Sequence, residues 1–388
     1  MPTASRLTII VSGMIAADPG HGGAAWAVLQ YVRGLQCLGH EVYLVEPVDH
    51  AKLQPPASPL AHTHSASYFR DVAAQFGLQD RGALLRAGTT ETVGMRYQDL
   101  AAVARRADVL LNISGMLDDP NLIGRIPRRI YLDLDPAFNQ LWHAVDGLDM
   151  RFAAHTHHAT VGQAIGTPAC DIPTCGVKWL PTLPPVSLAD WPVVPPAPSA
   201  PFTTVANWRG YGSIHHGGTM YGQKAHSMRA LLRLPSLTAE SLVVALSIDA
   251  GEAPDLQALA AHNWHTVDPR QVASTPGAYR EFICRSKGEL GVAKSGYVVS
   301  RCGWVSDRSA CYLASGRPVI AQDTGVDGRL PTGAGLLTFA TADEAADTIR
   351  RVAADYARHC AAARDIAEEY FDSVKVLTSL LDRCGGAS

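Results

Sequence analysis

Arg301-Cys302-Gly303-Trp304-Val305-Ser306, followed by Asp307-Arg308-Ser309-Ala310-Cys311-Tyr312-Leu313-Ala314-Ser315-Gly316-Arg317-Pro318, decides the reading of this chain. Taken locally, it is a strand end, a glycine turn and a serine that caps a helix. Gly316 stops that helix, and Pro318 to Ala321 read as a buried strand beyond it. A helix N-terminus reached through a glycine turn offers free backbone N–H groups and the positive end of a dipole, which suits a diphosphate. Arg301, Arg308 and Arg317 flank the turn, where phosphate charge would need them.

The same rhythm extends outward in both directions. Leu7 to Ser12 is an apolar run ending at Gly13, and Ala24 to Leu38 has helical spacing with Trp26, Leu29, Val32 and Leu35 on one face. Gly39 ends that helix and Glu41 to Val45 form the next strand. Strands also fit Val109–Ile113, Ile130–Leu134 and Ala159–Val161. Between Thr167 and Pro201 prolines crowd out regular structure, which marks a semi-rigid linker. Beyond it, strands fit Phe202–Ala206, Leu242–Ser247, Tyr297–Val299 and Val319–Ala321. Helices fit Gly222–Leu232, Pro276–Cys284 and a long tail from Thr341 to Leu381. The expected fold class is α/β, with two doubly wound Rossmann-like domains facing each other across a cleft. Residues 1–185 form the first domain, 186–200 the linker and 201–365 the second domain. Residues 366–388 are a C-terminal helix expected to pack back on the first.

Bulk properties narrow the function classes. A chain of 388 residues holds two domains of ordinary size. With 47% apolar and 18% charged residues it is globular, and its net charge of −3 argues against a nucleic-acid partner. No apolar run reaches the roughly 18 residues of a membrane span, and Met1 to Arg6 do not open a signal peptide. Eight scattered cysteines point to reduced thiols and a cytoplasmic location. His155, His157 and His158 with Cys170 and Cys175 fit no standard zinc spacing, so no metal is expected.

Four further segments carry chemistry. In Asp18-Pro19-Gly20-His21-Gly22-Gly23, the spacing of Gly20, Gly22 and Ala25, with Glu46 beyond, imitates a dinucleotide fingerprint. Residues Gly13 to Pro19 intervene after the strand, however, where a true fingerprint follows at once. Asp133 and Asp135 end a strand, share one face by alternation and precede Pro136; the competing role is turn formation. Gln140, Trp142 and His143 stand close by. Asn207 to Gly212 and Gly217 to Lys224 form glycine-rich loops carrying Arg209 and Lys224. Ser286 to Lys294 supply Glu289, for a ribose or sugar hydroxyl pair, and Lys294, for phosphate.

The Cys302-Gly303-Trp304-Val305-Ser306 turn, with Gly316-Arg317-Pro318 and the later Asp323, resembles the signature of nucleotide-sugar glycosyltransferases of the GT-B type, strongest over residues 285–330. Against the plant pattern, Arg301 replaces a histidine, Val305 an asparagine and Ser309 the ribose-binding glutamate. The resemblance implies transfer of a sugar from a nucleoside-diphosphate sugar to an acceptor hydroxyl or amine, without a metal or a resident cofactor. The first domain would face the acceptor, a small-molecule metabolite being one candidate, and the second would bind the donor.

Site roles follow from that resemblance. Gly22, Gly23, Arg209, Lys224, Glu289, Lys294, Arg301, Gly303, Ser306, Asp307, Arg308, Asp323 and Thr324 would hold the donor, with Arg209 and Lys224 on the diphosphate and Asp323 on sugar hydroxyls. His21 would be the general base, oriented by Asp133 or Asp135. The alternatives are a GT-B sugar-nucleotide epimerase and a nucleotide- or sugar-binding protein without turnover.

Overall fold

A computed structural model describes residues 6–56 and 58–385. The first sheet is built from β1 (Thr8–Ser12), β2 (Glu41–Val48), β3 (Gly82–Arg86), β4 (Thr92–Gly94), β5 (Val109–Ile113), β6 (Arg128–Asp133), β7 (His157–Thr160) and β8 (Trp179–Pro181). Their order is β4-β3-β2-β1-β5-β6-β7-β8, parallel except for the β3–β4 pair. Continuous apolar runs such as Val109-Leu110-Leu111 suit strands covered on both faces.

The second half contains β9 (Phe202–Asn207), the hairpin of β10 (Ile214–His216) and β11 (Thr219–Tyr221), then β12 (Leu242–Ser247), β13 (His265–Val267), β14 (Gly288–Gly291), β15 (Val319–Gln322) and β16 (Leu336–Phe339). Six of them make an all-parallel sheet in the order β13-β12-β9-β14-β15-β16. Both sheets reverse strand order at their centres, where doubly wound folds bind ligands.

Two expected elements are corrected. Tyr297 to Val299 belong to the short helix Ser295–Ser300, and the strand before that helix is β14. Gly288-Glu289-Leu290-Gly291 hides its strand character, because a central charge between glycines looks like a loop. Arg301 then sits in the left-handed region at φ 47° and ends the Ser295–Ser300 helix, so the turn leaves a helix rather than a strand. The long tail is likewise broken into Ala342–Ala354, Tyr356–Ile366 and Ser373–Gly385.

The proline-rich stretch is ordered by burial. Trp191 is fully buried, and Arg317 donates to Pro195 O and Cys284 O, both at 2.7 Å. Arg317 is thus spent behind the sheet and does not flank the turn as phosphate charge, contrary to expectation. Val186 N donates to Phe371 O at 2.7 Å, tying the crossing segment to the chain's end. The helix Ser373–Gly385 lies against Gly22–Cys37, so closely that a Cβ on Gly34 would stand 2.5 Å from Leu377. One continuous apolar core runs through both halves, from Ile9 and Leu29 to Leu313 and Val319.

Candidate functional site between the two sheets

The carboxyl ends of the two sheets enclose a cavity of about 400 Å³. Its first wall is the long loop after β1, the start of the helix Gly22–Cys37, and Asp135 beyond β6. Its second wall is Asn207, Gly210, Tyr211, Lys224, Lys294 and Tyr297, with Trp304, Ser306, Asp307 and Arg308 of the signature turn.

Glu46 builds the first wall from below. It is fully buried in β2, and its carboxylate accepts from Ala16 N at 2.8 Å and Ala17 N at 2.6 Å. Burial pushes this carboxyl up to about 7. Glu46 therefore shapes the loop and has no free oxygen for a ribose, which removes the dinucleotide imitation. Gly22 is not open to a ligand either: its N–H donates to Ala273 O at 2.9 Å, and a Cβ would stand 2.2 Å from Thr275 O. Gly23 does line the cavity, packed beneath the Tyr279 ring.

His21 occupies the N-cap position of that helix and faces the cavity. Its Nδ1 lies 3.2 Å from an Asp18 carboxylate oxygen, and the hydrogen bond to Asp18 raises the imidazole above its ordinary value. Its partner is thus Asp18 from the same loop, not Asp133 or Asp135. Those two aspartates do not share a face, because β6 ends at Asp133 and the alternation stops there. Asp133 is fully buried, holding Asn139 Nδ2 at 2.6 Å, Gln140 Nε2 at 2.8 Å and Thr160 Oγ1 at 2.7 Å. Burial pushes it up to about 6. Asp135 alone reaches the cavity, paired with Lys294 Nζ at 2.9 Å. Gln140 is spent on Asp133, while Trp142 packs on Tyr211 with ring centroids 4.6 Å apart; neither lines the cavity.

The signature turn is assembled as its residues suggest. Gly303 adopts φ 72°, and its N–H donates to Thr324 O at 2.8 Å. Ser306 caps the helix Asp307–Ala314 by accepting from Arg308 N at 3.2 Å, and Ser306, Asp307 and Arg308 all line the cavity. Burial raises the Asp307 carboxyl. Lys224 is buried with its ammonium on Val292 O, and desolvation holds it well below its ordinary value. Among the described residues no carboxylate pairs with this amine, which stands at the cavity wall, and an anion beside a buried amine favours its charged form.

Other expected donor ligands are placed elsewhere. Arg209 turns to Glu252 and does not line the cavity. Glu289 is fully buried in β14 and bound to Arg308, so it offers nothing to a ribose. Arg301 and Asp323 pair with each other at 3.1 Å outside the cavity, the arginine more than half exposed. Thr324 is buried and donates to Trp304 O at 2.6 Å. His155 and His158 are spent on Arg151 O and Phe152 O, each at 2.8 Å. Asp18, Tyr211 and Tyr297 are cavity residues that the sequence reading did not single out. Asp18 carried the one usable signal, an acid three residues before a loop histidine.

No protein-family model and no curated protein sequence matches this chain. Solved structures do match. An alpha-glucosyltransferase in complex with UDP and a 13-mer DNA containing an HMU base superposes with a TM-score of 0.61 at 10% identity, over 98% of this chain and 100% of that one. Anabaena Alr3699/HepE in complex with UDP and glucose gives 0.56 at 11% identity, over 98% of this chain and 100% of that one. The chain therefore has the GT-B fold of nucleotide-sugar glycosyltransferases, two Rossmann-like domains facing each other across a cleft.

Proposed function

We propose that this chain moves a sugar from a nucleoside-diphosphate sugar, of the UDP-sugar class, to an acceptor hydroxyl or amine. One observation carries the reading. The capped N-terminus of the helix Asp307–Ala314 shares a cavity with Lys224, Arg308 and, from the other domain, the Asp18–His21 pair. The first group suits a leaving diphosphate, and the second suits a proton acceptor. The UDP and UDP-glucose of the similar solved structures support that donor class.

In this reaction the acceptor oxygen or nitrogen bonds to the anomeric carbon as the bond from that carbon to the diphosphate oxygen breaks. The acceptor proton passes to His21, whose imidazolium Asp18 stabilises. Charge gathering on the departing diphosphate is met by Ser306 Oγ, the first N–H groups of the helix, and the cations Lys224, Arg308 and Lys294. Preorganised donors of this kind are typically the largest electrostatic term in catalysis. These cations take the part that a metal plays elsewhere, so the proposed reaction uses none.

The test is incubation with a panel of UDP-, GDP-, ADP- and dTDP-sugars, each with small hydroxyl and amine acceptors. Hydroxymethylated DNA forms a separate arm, because several of the similar structures were solved with DNA. Release of nucleoside diphosphate with a glycosylated product is expected. An epimerised donor would identify a sugar-nucleotide epimerase instead. Tight nucleotide binding without any turnover would identify a binding protein.

A further inference from the structure

The structure assigns Glu289 as a positioning residue that aims Arg308 at the donor diphosphate, an assignment that rests on the proposed donor site. Glu289 lies in β14, between Thr203 of β9 and Val319 of β15, and is fully buried. A lone carboxylate at the centre of a parallel sheet is expensive unless a cation meets it. Arg308 is that cation: its Nε donates to Glu289 Oε1 at 2.6 Å. The same guanidinium donates through Nη1 to Val205 O at 3.0 Å.

Two edges of the planar fork are therefore fixed by the sheet. Among the described residues Nη2 has no protein acceptor, and Arg308 forms part of the cavity wall. A guanidinium held at two edges presents the third in one direction, the pre-organisation that a planar, bidentate donor provides to phosphate. The backbone of Arg308 is fixed as well, since its N–H is the one that Ser306 caps. Space for the carboxylate comes from Gly291, two residues along the same strand face. A Cβ there would lie 3.3 Å from Glu289 Oε1. The unpartnered Oε2 shows that the carboxylate is not saturated by structural hydrogen bonds. Its one side-chain partner among the described residues is the arginine. With Arg209 paired to Glu252, Arg308 takes over the phosphate duty first expected of that residue.

A double-mutant cycle tests this, with UDP as the probe and calorimetry as the readout. Glu289→Gln should weaken UDP binding about tenfold, and Arg308→Gln about ten- to a hundredfold, the range for a lost charge-assisted hydrogen bond. In the Arg308→Gln background, Glu289→Gln should change affinity less than about twofold, because its effect passes through the arginine. The double variant has no unpaired buried charge, so it remains measurable if either single variant folds poorly. Glu289→Asp supplies a further folded comparison with a retracted carboxylate. Equal effects of Glu289→Gln in both backgrounds overturn the assignment, as does unchanged UDP affinity in a variant whose melting temperature falls. Failure of the unmutated protein to bind any nucleoside diphosphate overturns the donor site itself, and the assignment with it.

Discussion

Lys294, just before the helix Ser295–Ser300 in the second domain, holds its ammonium 3.0 and 2.9 Å from the two carboxylate oxygens of Asp135 in the first. The Tyr211 and Tyr297 hydroxyls close on the same carboxylate, and the Lys294 ammonium lies 4.3 Å from the Tyr211 ring centroid. This cluster bridges the cleft at the cavity rim. Both charged side chains are 22% exposed, so the pair is partly shielded from water and salt.

Breaking that bridge should cost stability as well as donor binding. Lys294→Met leaves Asp135 with hydroxyl partners alone, and a loss of about 1.5–3 kcal/mol is expected for a charge-assisted contact of this kind. Urea unfolding of Lys294→Met and of the surface control Lys375→Met measures the difference. Equal midpoints in the two variants would show that the bridge does not hold the domains together.

Legibility in the sequence tracked how local the cause was. The Ser306 cap, the Gly316 stop and the Gly39 stop each depend on residues within one turn, and each stands where the sequence placed it. β14 escaped because its signal is a fully buried charge whose neutralising partner, Arg308, comes from another element. Asp133 and Asp135 were separated by the place where β6 ends, which alternation alone does not specify. Arg209 and Lys224 show the same limit from the other side. Composition gives each a positive charge, but only packing reveals that one meets Glu252 and the other the cavity.

That contrast sets up a paired experiment on donor affinity. Lys224→Met should weaken UDP binding about tenfold or more, since the buried amine that a bound diphosphate would charge is removed. Arg209→Met should leave it within about twofold. Calorimetry on both variants decides the matter, and a larger loss for Arg209→Met would return the phosphate role to that residue.

Gly22 makes a steric prediction independent of function. A methyl group there would press on Thr275 O at 2.2 Å, against backbone that cannot rotate away. Gly22→Ala should therefore separate the first helix from the segment after Ala273 and cost more than about 2 kcal/mol, in the range of overpacked cores. Gly20→Ala meets open space and suffers only from its φ of 87°, a cost of about 1–2 kcal/mol. Melting curves in which Gly20→Ala proves the more damaging would contradict this account of the interface.

Glu46 predicts a pH dependence of stability with a definite sign. Its carboxyl rises from 4.5 to about 7 on folding, through burial. Below pH 4.5 both states hold the proton. Between those values the folded chain keeps a proton that the unfolded chain releases, so stability falls as pH rises and levels off above about 7. The full swing is about 3 kcal/mol at 1.36 kcal/mol per unit. Glu46→Gln should remove this part of the slope, so that its stability relative to the unmutated protein improves by that amount from pH 4.5 to 7.5. Parallel stability curves for the two proteins would place the ionised carboxylate in the folded state throughout.

His21 and Asp18 give the sharpest functional test. If His21 takes the acceptor proton, its neutral form is the active one, and the rate rises with pH through its titration. The hydrogen bond to Asp18 raises that titration above 6.5, so the ascending limb of kcat/KM should lie on the alkaline side of that value. Asp18→Asn removes the charge that favours the imidazolium and should shift the limb back toward 6.5 while lowering the plateau. His21→Ala should cost about 10²–10⁴ in turnover, with UDP affinity nearly intact, because the phosphate-facing groups belong to the other domain. A pH profile measured on all three proteins separates the roles. An unshifted limb in Asp18→Asn would reduce Asp18 to loop structure. Retained turnover in His21→Ala would move proton transfer away from this loop, leaving Asp135, just beyond β6, as the other first-domain carboxylate that lines the cavity among the described residues.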